Sequence, residues 1–84
     1  MTRTIFRLPA VKAESGYSRS TIYLRISQRL WTKPVSLGAR AVGWPATEVA
    51  ELNAARIAGL ADEEIRALVV KLEAARKSAL EGSQ

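Results

Sequence analysis

A helix stop and a helix start lie two residues apart in this chain, at Gly16-Tyr17-Ser18. Gly16 suits a left-handed C-terminal cap, because a residue without Cβ enters that conformation without a steric penalty. Ser18 suits an N-cap, because its hydroxyl can accept from the unpaired amides of the next turn. Upstream, Pro9 fits a first helical turn, where its missing N–H would have no partner anyway, so residues 10–15 are expected to form a short helix with Val11 inward. Downstream, a second helix is expected from about Arg19 to Gln28 or Arg29. On it Ile22, Ile26 and Leu30 recur every four residues and make an inward stripe, with Tyr23 on its flank. Two short helices joined by so tight a turn have the outline of a helix-turn-helix.

The rest of the chain extends that outline. Thr4-Ile5-Phe6-Arg7 is β-prone. Val35-Ser36-Leu37 and Ala41-Val42-Gly43-Trp44 flank Gly38-Ala39-Arg40 and predict a β-hairpin with Arg40 at or near its tip. A basic hairpin after such a helix pair is a wing. Pro45 leads into a third helix, about Ala46 to Ala58, with Glu48 in its first turn and Val49, Leu52 and Ile57 as core contacts. Asp62 is expected to cap a fourth helix, whose narrow apolar stripe is Ile65, Leu68, Val69, Leu72 and Ala75. The final residues, 81–84, should fray. The expected fold is therefore mainly α with a small β-hairpin. A winged helix-turn-helix domain occupies residues 1–59, and an amphipathic C-terminal helix with a frayed tail occupies residues 60–84.

Composition narrows the chemistry. At 84 residues the chain has room for one modest core, and 48% apolar content is enough to build it. Trp31 and Trp44 are expected in that core, since so small a domain needs large apolar groups. With no cysteine and no histidine, disulfides, thiolate nucleophiles, zinc-finger ligands and the usual general base are all absent. No Ser/Lys spacing, glycine-rich phosphate loop or acidic metal cluster appears, so no enzymatic activity, cofactor or small-molecule substrate is expected. No apolar run approaches the roughly 18 residues that a membrane span needs. A soluble cytoplasmic protein is expected.

Charge is distributed unevenly. Residues 1–44 hold eight basic side chains (Arg3, Arg7, Lys12, Arg19, Arg25, Arg29, Lys33, Arg40) against Glu14 alone, a balance of +7. Residues 45–84 hold five basic and seven acidic side chains, a balance of −2. A polyanion contacting the first half would bind with release of condensed counterions.

Three segments taken together, Arg7-Leu8-Pro9, Gly16-Tyr17-Ser18-Arg19-Ser20-Thr21-Ile22-Tyr23 and Lys33-Pro34-Val35-Ser36-Leu37-Gly38-Ala39-Arg40-Ala41-Val42-Gly43-Trp44, resemble the AlpA family. These are bacterial mobile-element regulators related to phage excisionases and to MerR-like winged helices. The resemblance covers about residues 5–58. It implies double-stranded DNA as the partner, and a role as transcriptional regulator or as excisionase (recombination directionality factor) that bends attachment-site DNA.

On a recognition helix the first turns face the groove. Arg19 is the candidate for bidentate bonding to guanine, Ser20 for a base edge or phosphate, and Leu24 for a thymine methyl, its alternatives being plain exposure or contact with a second protomer. Ser18, Thr21, Tyr23, Arg25, Arg29 and Lys33 are candidate phosphate contacts, with Tyr23 also half in the core. For Arg25 and Arg29 the alternative is a solvated face. Arg40 on the wing suits an adjacent minor groove or its phosphates. A rival reading makes the chain a protein-interaction module, in which Ile65, Leu68, Val69 and Leu72 bind a second copy or an integrase, against simple packing on the wing domain. RNA binding is set aside because no exposed aromatic platform is visible.

Overall fold

Local signals in the N-terminal half are realised nearly residue for residue. The computed structural model describes the backbone of residues 4–81 and the side chains of residues 4–77; of the segment 81–84 expected to fray, Glu81 is still helical and the rest lies outside the described residues. Helix α1 (Leu8–Ser15) carries Pro9 in its first turn and ends at Gly16, whose φ is 77° and whose N–H donates to Lys12 O. Helix α2 (Arg19–Ser27) starts after Ser18, as its hydroxyl predicts, and stops before Gln28. Its end is a reverse turn in which the Leu30 amide donates to Arg25 O (2.8 Å) and the Arg29 amide to Ile26 O (3.0 Å). Helix α3 (Ala46–Ile57) ends in the same way, through Leu60 to Ala55 O and Gly59 to Arg56 O. In α3 the left-handed residue is Gly59 (φ 78°); in α2 it is Arg29 (φ 63°). A side chain at that position costs roughly 1–2 kcal/mol. The turn sends Leu30 back into the core, which explains why α2 is shorter than its periodicity suggests.

Strands β1 (Ile5–Phe6), β2 (Val35–Gly38) and β3 (Ala41–Pro45) form an antiparallel sheet in the order β1-β3-β2. The hairpin turn is Ala39-Arg40, and an irregularity between Ser36 and Gly38 accommodates one extra residue, Leu37. Gly43 lies where β1 and the hairpin close over β3. A Cβ there would fall 2.5 Å from Ile5 Cγ2 and 2.9 Å from Phe6 O, so a larger residue would push the sheet apart.

One core serves the whole chain. Val11, Ile22 and Trp44 are fully buried, and Leu30, Trp31, Val49, Leu52, Ala55, Ile65 and Val69 complete the cluster. The Trp44 indole N–H donates to Thr32 O at 3.0 Å, which meets its polar requirement inside the core. Three expectations are corrected. Ile57 is 84% exposed, and Ala55 takes its place in the core. At 100° per residue Ala55 follows Val49 and Leu52 on one face, whereas Ile57 is rotated roughly 140° from Leu52. Helix α4 (Asp62–Glu81) begins with Asp62 as its first helical residue rather than its cap; the Ala61 amide donates to Glu64 Oε1 at 3.0 Å, half of a capping box. Finally, Ile65 and Val69 are buried against this chain's own core, with Leu68 and Leu72 packed beside them. The partner-helix role offered for this stripe is thus set aside in favour of its alternative, packing on this chain's own core. Among the described residues no helix is long and apolar enough to cross a membrane.

Candidate nucleic-acid interface

The start of α2 is an open, self-capped helix N-terminus. Ser18 Oγ accepts from the Thr21 amide at 3.2 Å and donates to Thr21 Oγ1 at 3.0 Å, and Ser20 Oγ lies 3.5 Å away. Arg19 and Ser20 are exposed, and Leu24, one turn on, is 56% exposed. No other part of the described chain covers them. The Arg19 guanidinium rests 5.6 Å above the centre of the Tyr23 ring. Tyr23 in turn sets its edge against Trp44, with ring centres 6.3 Å apart at 70°. Because Trp44 belongs to β3, this stack places the exposed side of α2 beside the base of the hairpin. Arg40 is exposed in the hairpin turn. The structure therefore gathers Ser18, Arg19, Ser20, Tyr23 and Leu24 at the start of one helix and sets the base of the hairpin, through Trp44, against Tyr23.

The remaining cations differ in freedom. Arg29 and Lys33 are exposed and line, with Ile26, Ser27, Trp31, Val69, Val70 and Glu73, a shallow cavity of about 290 Å³. Arg25 is half-buried: its guanidinium stacks 5.0 Å over the Tyr17 ring, and its Nε is buried without a hydrogen-bond partner among the described residues. Arg56 covers Tyr17 too, at 4.4 Å, and Trp31 meets the ring edge at 6.0 Å. Arg25 is thus held in an aromatic–cation stack, which the sequence pattern did not suggest.

A second set of polar side chains went unseen in the sequence. Arg76 forms two bonds to Glu48, Nε to Oε2 at 2.7 Å and Nη2 to Oε1 at 2.6 Å, and Glu48 is 4% exposed. The hydrogen bonds and charge of Glu48, with a smaller contribution from Glu73, hold the Arg76 pKa above the ordinary guanidinium value despite the opposing effect of burial, so Arg76 keeps its charge. Arg76 Nη2 also donates to Lys33 O (2.7 Å), Glu73 Oε2 accepts from the Lys33 amide (2.8 Å), and Arg66 Nε donates to Gln28 O (3.0 Å). From α3, Asn53 and Arg56 donate to Glu14 O and Ser15 O at the end of α1. One signal was available: Ile65, Val69, Leu72 and Arg76 continue a single inward stripe, and a charged residue at such a position requires a buried partner.

A helix-turn-helix followed by an antiparallel hairpin is the architecture of a winged helix, here completed by a C-terminal helix. Residues 4–57 match the family described as "Prophage CP4-57 regulatory protein (AlpA)". The chain belongs to the AlpA family of phage regulatory proteins, a family of DNA-binding regulators. It is also 45% identical over 53 residues to a protein of Enterobacteria phage P4 described as "Uncharacterized protein ORF88". That match covers 63% of this chain and 60% of the relative's length. No solved structure matches.

Proposed function

We propose that this chain is a sequence-specific duplex-DNA-binding regulator of a prophage or integrative element. It reads the major groove with the first half of α2 and grips the adjoining backbone with its hairpin. The observation that carries this reading is the exposed N-terminus of α2, capped from within and bearing Arg19, Ser20 and Leu24, beside a hairpin tipped by Arg40. Arginine there can donate two bonds to guanine O6 and N7, serine can bond a base edge, and leucine can contact a thymine methyl. Ser18 and Thr21 stand where a helix N-terminus attracts phosphate. Tyr23 flanks that site, Arg29 and Lys33 lie past the far end of α2 beside α4, where they would meet phosphates further along the duplex, and Arg25 would reach phosphate only by leaving Tyr17. Arg40 fits the minor groove or its phosphates.

Within that reading the chain acts as a transcriptional regulator, as an excision factor that bends attachment-site DNA, or as both, in the bacterial cytoplasm. Footprinting and gel-based bending assays on the element's own DNA test it. Protection of an attachment site with a strong bend supports excision, and protection of one promoter supports regulation. Indifference to all duplex DNA at low salt would contradict both. The rival protein-interaction reading has lost its anchors, since Ile65 and Val69 are buried in this chain's core.

A further inference from the structure

We propose that α4 is a splint for the DNA interface: it fixes the linker between α2 and the hairpin, and thereby sets where Arg40 stands relative to Arg19. This inference rests on the DNA-binding reading above and adds positioning residues that lie outside the family match at 4–57. The linker, residues 28–34, is held at both ends by one helix. Arg66 Nε donates to Gln28 O at the end of α2, while Glu73 Oε2 and Arg76 Nη2 bind the amide and carbonyl of Lys33, two residues before β2. Arg66 and Arg76 are ten residues apart on α4, about 15 Å along a rigid rod. All three bonds pair a charged side chain with a backbone group, the two at Lys33 at 2.7 and 2.8 Å and the one at Gln28 at 3.0 Å. Arg76 is itself fixed by Glu48 on α3, so the rod is referenced to the core.

Between the two clamps Leu30, Trp31 and Thr32 are buried, and Thr32 O accepts from Trp44 of β3. The linker therefore has little freedom at its centre, and the α4 bonds remove what remains at its ends. A wing held in advance loses less conformational entropy when it meets a backbone than a wing free to swing. Arg66 and Glu73 reach the linker from outside the core: Arg66 is exposed and Glu73 half-buried.

The test uses the full chain, a mixed-sequence duplex at low salt, and four proteins: wild type, Arg40→Ala, the double variant Arg66→Ala/Glu73→Ala, and the combination of all three changes. Alanine suits a helix interior, so α4 itself is preserved. The expected result is a folded double variant that binds roughly three- to tenfold more weakly, in which Arg40→Ala adds almost nothing. If Arg40→Ala costs the same factor in both backgrounds, the α4 bonds serve the fold alone and the inference is overturned. Should the double variant fold poorly, Glu73→Gln, which keeps an acceptor for the Lys33 amide, is compared with Glu73→Ala: rescue by glutamine supports the splint, and equal loss refutes it. A wild-type chain that ignores the duplex would instead sink the DNA-binding reading itself.

Discussion

The α2 face and the α4 face of this protein are both polar, yet they are built in opposite ways. Around Ser18 the hydroxyl's hydrogen bonds are all local, spanning two or three residues, and the side chains of Arg19, Ser20 and Leu24 are exposed. Along α4 the bonds span 28 to 43 residues and point inward, to Glu48, Gln28 and Lys33. The first surface keeps its polar groups free for another molecule; the second has spent them on holding the chain together. Substitutions on the α2 side should therefore alter binding directly, whereas those on the α4 side should act through the fold and through the setting of the hairpin.

The largest effect that sharpens the contrast is expected from Arg76→Ala. It strands the Glu48 carboxylate in the core and should cost about 3 kcal/mol of stability, near the low end for buried pairs because Arg76 is partly exposed. Urea denaturation measures it, and a loss below about 1 kcal/mol would place the pair among ordinary surface contacts. Gly43→Ala should follow at about 2 kcal/mol, since its methyl group collides with Ile5 and with the Phe6 carbonyl. An unchanged melting temperature would mean that the three strands do not close as described.

Ser18→Ala removes the cap of α2 and should cost about 1 kcal/mol. It is expected to lower both stability and DNA affinity, which urea denaturation and duplex titration measure. Smallest is Arg29→Gly, which relieves the left-handed arginine at the end of α2. It should stabilise the fold by up to about 1 kcal/mol while weakening duplex binding. A stabilised variant with undiminished affinity would show that Arg29 keeps its strained backbone for reasons other than phosphate.

This division also explains what could be read from the chain directly. Gly16, Ser18, the inward Ile22 and Ile26 and the hairpin around Arg40 are short-range signals, each decided by a few neighbouring residues, and lie where expected, whereas Leu30 reaches the core from beyond the end of α2 rather than on it. The inward turn at Arg29 was not visible, because nothing local marks an arginine that must adopt a glycine conformation. Ile57 is apolar yet exposed, because its angle on the helix and not its apolar character decides which side it faces. The stripe on α4 is legible as apolar, but the choice between its two alternatives, packing on this chain or on a partner, is not, since an amphipathic helix shows which face it buries and not against what. The Glu48–Arg76 pair belongs to the same class: two charges 28 residues apart become partners only once the fold is known.

The central claim is that the first turn of α2 enters the major groove, and guanine-N7 methylation interference tests it most directly. On a duplex that the wild type protects, methylation of particular guanines should block binding, and Arg19→Ala should lose sensitivity at one of them while its melting temperature stays unchanged. Binding that tolerates methylation at every guanine in the protected tract, by wild type and variant alike, would contradict it.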